Sequence, residues 1–137
     1  MQIYKKILVT IDCSEVDKAI IEHVSALARQ NNAHMYLLHV VHSHTLDQDR
    51  ALHQKTEKSL KSYQALLSKQ DIETTVLIRS GEPDKEILKE IEENDYDLVA
   101  MATHGHRFIG DVLFGSVSDT LKHKISIPLL LLKPEKS

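Results

Sequence analysis

Tyr4–Asp12 (YKKILVTID) is a short, β-branched apolar run that ends in a carboxylate, the pattern of a buried strand. Ser14 follows, three residues ahead of Asp17, a helix start that resembles a capping box with Asp in place of Glu. Ile20, Ile21, Val24, Leu27 and Ala28 then recur at helical spacing, and Asn31-Asn32 end the helix. His34–Val41 (HMYLLHVV) is a second buried strand. A strand, a helix and another strand in direct succession point to a parallel pair joined by a crossover, because adjacent parallel strands need a long connection.

The rest of the chain repeats that unit. Residues 42–49 read as a polar loop, and a long helix is expected from about Arg50 to Gln70, with Leu52, Leu60, Tyr63, Leu66 and Leu67 on its apolar face. Ile72–Arg79 alternates apolar and polar, as a strand with one exposed face does. Ser80-Gly81-Glu82-Pro83 is a turn into a third helix, Asp84 to Glu93, with Ile87, Leu88 and Ile91 inward. Asp97–Thr103 (DLVAMAT) is a fourth strand, followed by a loop from His104 to about Gly110. A helix from about Gly115 to Lys124 leads to a fifth strand, Ile127–Leu132, closed by Pro134. Strands alternating with helices define an α/β fold, an open five-stranded parallel sheet with right-handed crossovers and helices on both faces. No linker, repeat or low-complexity run divides residues 1–137, so one domain is expected.

Composition narrows the function. Lys and Arg number 17 against 20 Asp and Glu, so there is no basic surplus of the kind a nucleic-acid binder needs. A single cysteine, Cys13, rules out an internal disulfide and is compatible with a reducing, cytoplasmic setting. The start lacks a secretory pattern, and no apolar run reaches the ~18 residues of a membrane span.

In an open parallel sheet, ligands bind beyond the carboxyl ends of the strands, where strand order switches. That rule selects Asp12–Ser14, Val40–His44 and Ala102–Ser116. Of the chain's 4 glycines, Gly105, Gly110 and Gly115 fall in the last of these segments. Glycines there allow close backbone approach, and amides at a helix start can hold an anion, which suits a phosphate. A flexible loop with capping residues is the alternative reading of the same glycines.

Taken together, these segments resemble the universal stress protein family. Its Gly-x-x-Gly-x9-Gly-Ser/Thr signature is matched by Ala102-Thr103-His104-Gly105, nine residues and then Gly115-Ser116, with Ala102 in place of the first glycine. Ile-Leu-Val-Thr-Ile-Asp-Cys-Ser (7–14) is similar to the family's first strand and Asp-x-Ser turn, and Leu38-His39-Val40-Val41 to its second strand. Gly81-Glu82-Pro83, Asp95–Val99, Val117-Ser118 and Ile127–Leu132 carry the likeness through the remaining units. The resemblance implies a Rossmann-like three-layer sandwich of the adenine-nucleotide alpha-hydrolase type, with strand order 3-2-1-4-5. It implies a stress-responsive ATP-binding sensor or regulator; magnesium is expected with such a ligand because that ion is often held largely by phosphates and water. Adenine would lie near Asp12 and Val40, with Met101 and Ala102 beside the pocket. The phosphates would lie on Gly105, Gly115, Ser116 and the Val117 amide. A homodimer through the last strand is expected, because Ile127–Leu132 is an apolar edge strand in that order and family members often pair there, and an unidentified regulatory protein partner would read the nucleotide-bound state.

Other readings stay open. Ala102 and the bulky Phe108 in the x9 segment could close the pocket, leaving a nucleotide-free dimeric interaction module. A slow ATP hydrolase or phosphotransferase, with Ser116 or His106 as acceptor, is a third reading, although no arranged nucleophile, base or metal cage is legible. Asp12 is either a ligand contact or a turn residue, and Ser14 is expected as an N-cap. Arg107 and His106 either reach a triphosphate or stay solvated. The chain has 9 histidines, but none has the spacing of a closed zinc site, and His39 is expected as a packed strand residue.

Overall fold

The computed structural model describes residues 3–42, 45–102 and 117–134. Five strands are formed: β1 (Lys6–Thr10), β2 (His34–Val41), β3 (Thr74–Ser80), β4 (Leu98–Ala102) and β5 (Leu129–Leu132). They make one parallel sheet in the order β3-β2-β1-β4-β5. Helices α1 (Val16–Asn31), α2 (Leu46–Ser68) and α3 (Pro83–Glu93) link the first four strands, and residues 117–124 form helix α4 ahead of β5. The parallel pairing agrees with the alternation of strands and helices, and the strand order with the one the family resemblance implies.

Side-chain alternation along the strands divides the core in two. Ile7, Val9, Met35, Leu37, Leu98 and Ala100 face α1 and α2, where they meet Ile20, Val24, Ala28, Leu60 and Leu67. Leu8, Leu38, Val40, Val99 and Met101 face the other way, onto Ile87 of α3 and Val117 and Leu121 of α4. Most of these side chains are inaccessible to solvent. Each Leu, Ile or Val so buried contributes roughly 1.5–3 kcal/mol. This is the three-layer arrangement.

The N-terminus of β1 is clamped from two sides. Asp97 Oδ2 accepts from the Lys5 and Lys6 amides at 2.8 and 2.9 Å. Asn31 Oδ1 accepts from the Ile3 and Tyr4 amides at 2.9 and 3.2 Å. Asn32, in the left-handed region at φ 52°, ends α1.

Several local expectations are corrected. Helix α2 starts at Leu46 rather than near Arg50, because Thr45 Oγ1 caps it by accepting from the Gln48 amide at 3.1 Å, and Asp47 and Asp49 suit its positive end. Its inward stripe is Thr56, Leu60, Tyr63 and Leu67, whereas Leu52 and Leu66 are exposed. Strand β3 starts at Thr74, not Ile72. The backbone turns at Asp71 (φ 60°), and the Ile72 amide still bonds Leu67 O at 3.1 Å. Helix α3 includes Pro83, whose missing amide is harmless in a first turn.

A polar cluster on α3 has no counterpart in the sequence reading. Glu90 is only 6% exposed, yet it accepts from Arg79 Nη1 at 2.9 Å, Tyr96 Oη at 2.7 Å and Asn94 Nδ2 at 2.8 Å. Arg79 also reaches Glu86 and Glu93, so one guanidinium fastens the edge strand β3 to α3.

Candidate functional site

The site is assembled at the carboxyl end of β1. The ladder continues one residue past the strand, with the Ile11 amide on Leu38 O at 2.7 Å. Then the chain turns sharply, with Cys13 at φ 60°. The buried Asp17 side chain secures the turn: Oδ1 accepts from the Asp12 amide at 2.8 Å and Oδ2 from the Ser14 amide at 3.1 Å. Ser14 Oγ donates to Asp12 Oδ2 at 3.0 Å, which fixes that carboxylate above the end of the strand.

The expected capping box is therefore half present. Asp17 reaches back to the Ser14 amide, but the helix itself begins after Glu15, and the Ser14 hydroxyl donates to Asp12 while accepting from the Val16 amide only at 3.5 Å. Burial pushes the Asp17 carboxyl up to about 6, outweighing the backbone amides that favour its charged form. Cys13 is exposed as a residue, but its Sγ turns toward the hydroxyl of buried Thr56 at 3.9 Å. Burial of the sulfur, with Asp17 and Asp12 nearby, pushes the thiol up to about 11 despite that contact.

The end of β2 supplies the second wall. His39 Nδ1 lies 2.5 Å from Ile11 O, and because a carbonyl only accepts, Nδ1 carries the proton. The Gly81 amide donates to Val41 O at 3.0 Å, and His42 Nδ1 lies 3.2 Å from Gly81 O. These bonds bring the turn before α3 against the β2 terminus. Gly81 holds φ 138°, open only to glycine at little strain.

Between these walls lies a cavity of about 260 Å³, lined by Thr10–Asp12, Leu38–His42, Leu52, Pro83, Ile87 and Val117. Its surface is mostly apolar, with Asp12, Thr10, His39 and His42 as the polar points. Of the site residues selected from sequence, Asp12, Val40 and Val117 line this one cavity. Met101 is wholly buried beneath it, packed in the same core layer as Val40 and Val117, and Ala102 lies in the opposite layer; neither is part of the lining. Gly105, Gly115 and Ser116, with His106, Arg107 and Phe108, lie outside the described residues, as does His44.

Sequence reasoning did not single out Thr10, Pro83 or Ile87 as site residues. For Thr10 a signal existed, since it is the polar residue inside an otherwise apolar strand run. Among the described residues, no group of three His, Cys, Asp or Glu side chains could hold a metal ion. His53 is instead bonded to Ser80 Oγ at 2.8 Å. No helix of the described residues is long and apolar enough to cross a membrane.

A five-stranded parallel sheet in this order, covered on both faces and carrying a cleft beyond its central strands, places the chain in the α/β nucleotide-binding fold class. The universal stress protein family model matches residues 3–133, and the chain belongs to that family. It is 26% identical to universal stress protein MJ0577 of Methanocaldococcus jannaschii, over 98% of each chain. It is 22% identical to YxiE of Bacillus subtilis, over 95% of this chain and 99% of that one. The solved structure of MJ0577 superposes with a TM-score of 0.84, covering 98% of this chain and 99% of that one. A universal stress protein from Archaeoglobus fulgidus, solved in complex with dAMP, superposes at 0.70 with 22% identity, covering 96% of this chain and 99% of that one.

Proposed function

We propose that this chain is an adenine-nucleotide-binding regulator of the stress response, with ATP as its principal ligand. The observation that carries the reading is the cleft itself: apolar walls with a few polar points, at the carboxyl ends of β1 and β2, lined by Asp12, Val40 and Val117. Apolar walls suit the faces of a base, and the polar points suit its edge and the ribose. In this reading Met101 and Ala102 support the β4 side. Gly105, Gly115, Ser116 and the Val117 amide receive the phosphates, which carry magnesium. Two solved universal stress proteins are complexes with dAMP and with cAMP, in support of an adenine nucleotide.

The protein works in the cytoplasm as a homodimer. Strand β5 lies at the sheet edge with Leu131 half exposed, and an open apolar edge invites pairing with a second copy. A bound nucleotide changes which surface a regulatory protein partner meets. Titration of magnesium-ATP into nucleotide-stripped protein tests the reading, alongside a Gly115→Asp variant. Micromolar binding that the variant abolishes is expected. A folded wild-type protein that takes up no nucleotide would overturn the reading in favour of a nucleotide-free interaction module.

A further inference from the structure

We propose that the hydroxyl of Thr10 reads the base of the bound nucleotide, making in the complex a hydrogen bond it does not make within the chain. The inference rests on the nucleotide reading of the cleft and adds a residue to it.

Thr10 is the last residue of β1 and is 5% exposed. Its Oγ1 has no hydrogen-bond partner, and it is the one buried side-chain polar atom among the described residues in that condition. Buried hydroxyls are nearly always bonded, because leaving one unpaired forfeits its hydration without return. The other buried polar side chains nearby show the contrast: Asp17 and Thr56 both have partners. Alternation puts Thr10 on the same face of β1 as Leu8, among Leu38, Val40 and Ile87. Valine would fill the same space there at no polar penalty, so packing alone gives no reason for a hydroxyl.

Thr10 also lines the cleft. A hydroxyl both donates and accepts, so it can meet either kind of atom on the edge of a heteroaromatic ring. The surrounding apolar side chains favour the ring's faces. In this reading the phosphates lie with the glycine segment after β4, which leaves the base for the β1 and β2 end.

Three proteins decide the matter: wild type, Thr10→Val, which keeps the shape and removes the hydroxyl, and Thr10→Ser, which keeps the hydroxyl. Each is melted without ligand and titrated with magnesium-ATP and with magnesium tripolyphosphate, which has no base. Thr10→Val is expected to melt higher than wild type when empty and to bind ATP about three- to tenfold more weakly, the fold-change of one hydrogen bond. Thr10→Ser stays near wild type, and tripolyphosphate binds all three alike. Thr10→Ala also lacks the hydroxyl and is expected to weaken ATP in the same direction.

Wild-type ATP binding that Thr10→Val and Thr10→Ala both match would overturn this inference and leave the nucleotide reading standing. Equal weakening of ATP and tripolyphosphate would also overturn it, since the hydroxyl would then not be reading the base. Wild type failing to bind ATP would overturn both.

Discussion

Asp17 should make the stability of this protein depend on pH in a direction opposite to that of most carboxylates. Its folded-state pKa is raised from 3.8 to about 6, chiefly by burial. Below the unfolded value both states hold the proton, and the contribution is fully present. Between about 4 and 6 the folded state binds more protons than the unfolded one, so unfolding free energy falls as pH rises. Above 6 both states are ionised and the loss is complete. The rise from 3.8 to about 6 corresponds to roughly 3 kcal/mol. Urea unfolding of wild type and Asp17→Asn at half-unit steps from pH 4 to 8 isolates this group, because titrations elsewhere cancel in the difference. At pH 4 the folded Asp17 carboxyl holds its proton and is close in charge and shape to the Asn amide, so the two proteins should start near one another in stability. Wild type should then fall relative to the variant as pH rises to 6, and the difference should stay constant beyond. A gap independent of pH would refute the argument that burial, rather than the amide bonds, governs Asp17.

The remaining predictions concern packing and reactivity. Glu90→Ala strands the Tyr96 hydroxyl, leaves the Asn94 amide only the backbone carbonyl of residue 90, and removes the most buried partner of Arg79. It should lower stability by roughly 2–4 kcal/mol in denaturant titration. Gly81→Ala is strained twice: φ is 138°, and an added Cβ would lie 3.0 Å from Glu86 Cγ. A loss of about 1–3 kcal/mol is expected, with Gly81→Asn no better. Cys13, with its thiol pushed up to about 11, should be alkylated by iodoacetamide at pH 8 more slowly than free cysteine, and Thr56→Val should not speed the reaction.

Much of the architecture was legible because strand burial writes itself into local sequence. Runs such as ILVTI and DLVAM have no exposed face to advertise, and helices with a 3.6-residue period separate them. The start of α2 was hidden for a local reason: Thr45, Asp47 and Asp49 look like loop residues when the cap and the helix dipole are not considered together. The Arg79–Glu90–Tyr96 cluster was invisible for a different reason. Its members belong to a strand, a helix and the loop beyond, and only folding shows that Glu90 turns inward where Ile87 and Ile91 suggested an apolar stripe. In the site, Asp12 and Val40 could be placed from the end-of-strand rule alone. Thr10 stood out only as the polar residue within ILVTI; that its hydroxyl lacks a partner depends on neighbours 28 and more residues away, such as Leu38, beside it in the ladder.

The position of β1 also dictates when the molecule can be finished during synthesis. It is the first strand made and the central one in the sheet, paired with β2 on one side and β4 on the other. Its β2 flank is available as soon as the second strand leaves the ribosome. The other flank, and the Asp97 clasp on the Lys5 and Lys6 amides, must wait for a stretch more than 90 residues downstream. Until then a nascent β1–β2–β3 half-sheet presents the Lys6 and Leu8 amides and carbonyls, which face away from β2, to whatever strand arrives. A ribosome stalled before residue 98 therefore displays a sticky template, and the order of emergence makes β4 the strand that seals it.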